Sequence, residues 1–261
     1  MKDLGVLNYF LGLEVVRNEE GLFVYQQKYA LDIIVETGLL GAKPSGFPIE
    51  QNHTLTLANV HILAQFMQHP RQEHWDAPLR VVRYLKGCPR QGILLRSYST
   101  FVVIGWCDSD WASCPLTHRS LMGWIVFLGG SPVSWKTKKQ HIVSRSSTEA
   151  EYRSMAQVVA EMKWLTSLLR DLGVTCEGSM PFLCDSQSAL HIVQNPVFHE
   201  PTKHIEVDCH YVRDTIHDGT ISTTHVFIED QLADIFIKVL GKRQFLYLLH
   251  KLGICDIHAP T

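Results

Sequence analysis

The chain reads as an α/β protein carrying a five-stranded mixed sheet with flanking helices, and two observations predict it. From about Thr100, three apolar strand patterns follow closely on one another: Phe101 to Cys107, Leu121 to Leu128 and Pro132 to Trp135. Helices and strands then alternate, with a long helix from about Ser147 to Leu172 and a short strand over Pro181 to Cys184. Three strands in a meander followed by helix–strand–helix–strand–helix is the order of a mixed sheet covered by helices.

Taken in order, residues 1–58 read as two strands and a helix. Asn8 to Val16 and Gly21 to Tyr25 flank the turn Arg17-Asn18-Glu19-Glu20, a hairpin signal. Lys28 to Leu40 has helical spacing, with a stop expected at Gly41, and Pro44 and Pro48 keep the next stretch extended or turning. Residues 59–98 read as a helical connection, from Ile62 to Leu85, interrupted near His69-Pro70. Trp75, Leu79, Val82 and Leu85 form its apolar stripe, leaving Arg80, Arg83 and Lys86 for a solvated or nucleic-acid-facing side.

Residues 99–254 form the main predicted domain, with 255–261 as a tail. Gly129-Gly130 joins its second and third strands as a tight hairpin. After Cys184 come a short helix near Ser188 to Val193, helical material from Ile205 to His217, and a strand from Ile221 to Ile228. Helices over Gln231–Leu240 and Arg243–Leu252 close the chain.

Composition limits the functional classes. Of 261 residues, 46% are hydrophobic and 19% charged, enough apolar material for a sizeable core. The net charge of −2 announces no nucleic-acid partner, so any such partner needs a local basic patch. Seven scattered cysteines without a Cys-x-x-Cys pair argue against both a disulfide framework and a zinc site and fit a reduced, intracellular setting. No apolar run approaches a bilayer span, so no membrane partner is expected.

The chemistry points to four acids, each at the edge of an element: Asp108, Glu151, Asp185 and Asp234. Four carboxylates can hold two Mg²⁺ ions, with Mn²⁺ as an alternative, and clamp the attacking and leaving oxygens of a phosphoryl transfer. Ser146 followed by Glu149 is a capping-box pattern, which gives Glu149 a structural duty. Glu151 instead heads the stripe Met155, Val158, Met162, Leu165 and Leu169. Asp110 shares a strand face with Asp108. Each acid alone has an ordinary reading as a cap or turn residue; the set carries the argument.

Lys136, Lys138, Lys139 and Arg145 lie beside the constellation, ready to neutralise phosphates or simply to solvate a strand edge. Among fourteen histidines, His199, His204 and His210 lack the partners of a zinc site, while His204 and His225 remain helpers for proton transfer.

At these residues the sequence closely resembles the polyprotein of copia-type LTR retrotransposons, at the junction of reverse transcriptase and ribonuclease H. The matching motifs include Asp108-Ser109-Asp110-Trp111-Ala112, Ser144-Arg145-Ser146-Ser147-Thr148-Glu149-Ala150-Glu151-Tyr152 and Cys184-Asp185-Ser186-Gln187-Ser188-Ala189. Thr202-Lys203-His204-Ile205-Glu206 and Asp230-Gln231-Leu232-Ala233-Asp234 follow in the same order. The resemblance implies a ribonuclease H-like domain preceded by a truncated reverse-transcriptase remnant. It implies that Asp108, Glu151, Asp185 and Asp234 are its metal ligands and that an RNA–DNA hybrid is the substrate. Other products of the same polyprotein are implied partners.

Two departures qualify it. The polymerase Tyr-Val-Asp-Asp segment is absent, so reverse transcription is not expected of this chain, and a stretch of the family pattern is missing between about Ala58 and Ile62. The alternative is therefore a catalytically inactive remnant that binds nucleic acid or serves as a scaffold.

Overall fold

The computed structural model describes residues 7–48, 67, 69–98, 100–194 and 206–256. The missing family stretch near Ala58, with His199 and His204, lies outside these residues. The chain divides into two compact units, residues 1–99 with 239–261 and residues 100–238.

The first unit holds an antiparallel sheet of β1 (Tyr9–Phe10), β2 (Leu13–Arg17), β3 (Gly21–Tyr25) and β4 (Gly92–Arg96). Its last strand is the C-terminal β10 (Ile254–Cys255), which pairs with β4 through Ile254 and Ile93. The predicted first strand is broken by a turn at Leu11-Gly12, where both residues have positive φ. β4 was not foreseen: Gly-Ile-Leu-Leu-Arg carries no turn signal, and its alternating burial becomes legible only beside β3. Thus 59–98 is not wholly helical, and Ile254-Cys255 joins this sheet instead of starting a free tail.

The helices α1 (Gln27–Glu36) and α2 (Gln72–Gly87) complete the unit. α1 ends earlier than its spacing predicts because Gly38 takes a left-handed conformation (φ 68°) just past the end. Two of the basic side chains of α2 have local duties. The Lys86 ammonium donates to the carbonyls of Leu39, Leu40 and Ala42 beyond α1, and the Arg80 guanidinium lies 4.9 Å from the centre of the Phe47 ring. Trp75, expected on the apolar stripe, is exposed, while His74 is buried and accepts from the Arg71 backbone at 3.1 Å.

The second unit has the expected five-stranded mixed sheet. β5 (Val103–Asp110), β6 (Leu121–Leu128) and β7 (Ser131–Lys139) form the antiparallel meander, while β8 (Met180–Cys184) and β9 (Ile221–His225) add parallel to β5. The order is β7-β6-β5-β8-β9. The chain leaves β5 toward one side for the antiparallel β6 and returns on the other as the parallel β8, which brings the residues after Cys184 beside the C-terminal half of β5. α3 (Ser147–Asp171) covers one face, burying Met155, Val158 and Met162 completely among Cys107, Val126 and Phe182. α4 (Gln187–Gln194) and α5 (Glu206–His217) extend the same core through Ala189, Val193 and Val212.

The predicted helix at Gln231–Leu240 is instead a pair of 3₁₀ turns, Ile228–Asp230 and Leu232–Phe236. Gln231, extended between them, caps the second by accepting from Ala233 N at 3.2 Å. The remaining helix, α6 (Lys242–Lys251), belongs to the first unit.

The second turn rests on the sheet where Gly123 leaves room. A Cβ there would lie 2.8 Å from Ile237 Cγ2, 3.0 Å from Phe236 Cβ and 3.2 Å from the Ala233 carbonyl oxygen. Gly123→Ala is expected to lift this turn and cost about 1–3 kcal/mol, the usual penalty of overpacking. Urea denaturation checks it; an unchanged midpoint would show that the turn has slack.

Candidate metal centre

Three of the predicted acids converge beside the C-terminal half of β5. Asp108 lies on β5, Asp185 follows β8, and Asp234 lies in the second 3₁₀ turn. One carboxylate oxygen from each lies within 4.8 Å of the others, with Asp108 and Asp234 only 3% exposed. Glu151 comes from the first turns of α3 and is 6% exposed. Its Oε1 accepts from Ser109 N at 3.2 Å, while Oε2 is buried with no hydrogen-bond partner. A buried carboxylate oxygen left without a donor is costly, and an added cation would satisfy it.

Local structure fixes each acid. The Ser154 hydroxyl donates to the Asp108 carbonyl at 3.3 Å, tying α3 to the strand. Fully buried Gln231 uses one amide nitrogen to reach the Cys107 carbonyl at 2.9 Å and Asp185 Oδ1 at 3.1 Å. Upstream, Gln140 donates to the Ala150 carbonyl at 2.9 Å and accepts from the Ser144 hydroxyl at 2.9 Å, while Trp111 Nε1 donates to the Ser144 carbonyl. These bonds set the entry of α3. Glu149 has the structural duty read from the sequence: its backbone N–H donates to Ser146 Oγ, and its carboxylate accepts from Arg145 N and Arg153.

The electrostatics are uneven. Burial and the Asp108 carboxylate push Asp234 up to about 8. Burial also raises Asp108, but the hydrogen bond shared with Asp234 and the Lys238 ammonium outweigh it and hold Asp108 below the usual carboxylate range. Burial and neighbouring carboxylates raise Asp185, and Glu151 well above its ordinary value. Asp110, half-buried, is raised first by burial and then by Asp108.

Lys238 had no role in the sequence reading. Its Nζ lies 2.7 Å from Asp108 Oδ2 and 2.8 Å from Asp234 Oδ1, and the two carboxylates keep it protonated despite its burial. The legible signal was its position four residues after Asp234, one helical turn away; the backbone bond from Lys238 N to Asp234 O, 2.8 Å, makes that turn. Nothing in the sequence marks Gln231 for its task, because its three partners are brought together only by the fold.

The basic group is split by the pleat. β7 register places Lys136 opposite Trp124 and Lys138 opposite Met122, whereas Lys139 lies opposite Leu121, in the row that leads to Asp110. Lys136 and Arg145 are exposed, and Lys138 and Lys139 half-exposed. Trp135, also exposed, shares its face of β7 with Thr137, whose hydroxyl donates to the Phe236 carbonyl at 3.3 Å. His225 ends β9 opposite Cys184, its ring edge-on to Phe227. Among the described residues no histidine joins a metal-ligating group, and no helix is long and apolar enough to cross a membrane.

Comparison with known proteins follows the same lines. The chain is 37% identical over 281 residues to the "Retrovirus-related Pol polyprotein from transposon RE2" of Arabidopsis thaliana, a match covering 96% of this chain and 19% of that protein. The corresponding polyprotein from transposon RE1 of the same plant is 37% identical over 287 residues, covering 98% and 20%. The chain belongs to the copia-type retrovirus-related Pol polyproteins. This Pol chain spans about a fifth of the length of these relatives. No protein-family model matches it. Among solved structures, it is similar to LC11-RNase H1, isolated from compost by a metagenomic approach, with a TM-score of 0.40 and 12% identity over 53% of this chain and 94% of that one.

The carboxylate balance gives the Pol chain a definite pH response without divalent ions. An unfolded aspartate ionises near 3.8, whereas Asp234 in the fold holds its proton to about 8. The unfolded state therefore binds fewer protons between these values, and this contribution to stability falls as pH rises from about 4 to 8. The lowered Asp108 acts only at more acidic pH, where its contribution is lost as it protonates. Asp234→Asn is expected to flatten the decline between pH 5 and 8 in urea denaturation, and Lys238→Met to steepen it. An Asp234→Asn profile parallel to wild type would show that Asp234 ionises normally.

Proposed function

We propose that this Pol chain carries a ribonuclease H activity, hydrolysing the RNA strand of an RNA–DNA hybrid at a two-cation site. The observation that supports it is the convergence of Asp108 within β5, Asp185 just after β8 and Asp234, with Glu151 adjoining and one of its oxygens without a partner. All four are oxygen donors, the chemistry that hard Mg²⁺ or Mn²⁺ selects, and shared substrate phosphate oxygens would complete the shells. Asp108, Glu151, Asp185 and Asp234 would hold the cations. When bound, a cation pair supplies a water activated for attack and neutralises charge on the departing 3′-oxygen.

The chain's own groups do the rest. Asp234 gives up its proton as a cation arrives, so binding tightens as pH rises toward about 8. Lys238 holds the aspartates together beforehand and must yield its two oxygen contacts, which leaves an ammonium beside the substrate phosphate. Gln231 holds Asp185 against the end of β5 through its two bonds. Lys136, Lys138, Lys139 and Arg145 would neutralise flanking phosphates, and the hybrid would be recognised by shape and 2′-hydroxyls with little base reading.

Lys238 also supports the second reading. An ammonium already paired with Asp108 and Asp234 can satisfy them with no divalent ion, as an inactive, hybrid-binding remnant would require.

Incubation of the purified chain with an end-labelled RNA–DNA hybrid separates the two. Cutting of the RNA strand in Mg²⁺ or Mn²⁺, sparing single-stranded RNA and reduced at least about a hundredfold by Asp108→Asn, is the expected result for a removed group of this kind. Hybrid binding without cutting in either ion would leave the remnant reading. In parallel, Mn²⁺ at a hundred times its Kd should stabilise the fold by about 2.7 kcal/mol. Asp185→Asn should remove most of that gain, as read by thermal unfolding.

A further inference from the structure

A second ligand group lies on the face of the sheet opposite the aspartates, and the nuclease reading uses only one of its members, Glu151. Cys107 and Cys184 immediately precede Asp108 and Asp185. β5 and β8 run parallel with Gly105 opposite Phe182 and Trp106 opposite Leu183, so the next register step sets Cys107 beside Cys184. Alternation turns both thiols away from the aspartates and toward α3. Both are completely buried in the core, where they meet Glu151. The two Sγ atoms and a Glu151 carboxylate oxygen all lie within 4.8 Å of one another.

Packing alone explains two small apolar thiols in a core. It does not explain a carboxylate set against them with Oε2 buried and without a partner. We propose that Cys107, Cys184 and Glu151 form a binding site for a thiophilic divalent cation of the Zn²⁺ or Cd²⁺ class, distinct from the hard-cation site in its two sulfur donors and competing with it for Glu151. Two thiolates and a carboxylate are the donors that such ions select and Mg²⁺ does not. The ion replaces the two thiol protons and the proton held on Glu151, and all three leave to solvent as two metal–sulfur bonds and one metal–oxygen bond form, with a fourth position left for water. Because Glu151 adjoins both groups, an ion held by the thiols withdraws it from the aspartates. The inhibition this implies rests on the ribonuclease reading; the binding itself does not.

Titration of the reduced full chain with Cd²⁺ in Mg²⁺-free buffer, followed by thiolate-to-cadmium charge-transfer absorption in the ultraviolet, tests the site. A one-equivalent step is expected, lost in Cys107→Ala and in Cys184→Ala but kept in Cys209→Ala and Cys255→Ala. Glu151→Gln should keep the band and weaken affinity by about tenfold or more. Should the alanine variants fail to unfold cooperatively, the cadmium NMR shift of the wild-type complex decides, two sulfur donors supporting the site and fewer overturning it. A step that survives both alanine substitutions overturns it as well. Hybrid cleavage by the same wild-type preparation in Mg²⁺ is scored separately. Cadmium binding without cleavage keeps the thiol site and removes the nuclease reading, and cleavage without cadmium binding does the reverse.

Discussion

Everything in the second unit is arranged around mutual repulsion among carboxylates that cannot reach bulk water. Asp108 and Asp234 are 3% exposed and Glu151 6%. Charges taken out of water at such short range are tolerated only when paired, protonated or bound to a cation. The Pol chain uses the first two remedies at once: Lys238 pairs with Asp108 and Asp234, while Asp234 and Glu151 hold protons beyond the usual carboxylate range.

Such a cluster needs a frame stiff enough to hold it. The frame is polar and fully engaged around Gln231, whose amide joins the end of β5, Asp185 and the 3₁₀ turn carrying Asp234. It is steric at Gly123, the gap into which that turn fits. It is apolar on the other face, where Met155, Val158 and Met162 of α3 fix the height at which Glu151 meets the sheet. Sheet alternation then separates two chemistries by a single residue, hard oxygen donors on one side and thiols on the other, with Glu151 adjoining both.

The first unit is governed by different constraints. Two basic side chains of α2 are committed locally, Lys86 to the carbonyls beyond α1 and Arg80 to Phe47.

Much of the second unit was legible in the sequence, because its signals are local. Apolar runs marked the strands, a capping Ser146 and a long stripe marked α3, and the acids stood at the ends of those runs. The distinction between Glu149 and Glu151 was also local, since one completes a cap and the other heads a buried stripe. What the sequence could not decide is long-range. β10 has only two residues and β4 sits at the end of a tract that reads as helical, so both become strands only when β3 and β4 supply hydrogen bonds. The predicted helix after Gln231 gave way to 3₁₀ turns because a side chain, not periodicity, organises that segment. The lysines of β7 looked like one cluster, but the pleat sends them to two faces. Lys238 became an internal cation, and Cys107 and Cys184 became neighbours, only when strands distant in the chain came into register. Residue type and periodicity determined which side chains could do chemistry; the pairing of β5 with β8 decided which of them meet, because separation in space depends on register and not on separation along the chain.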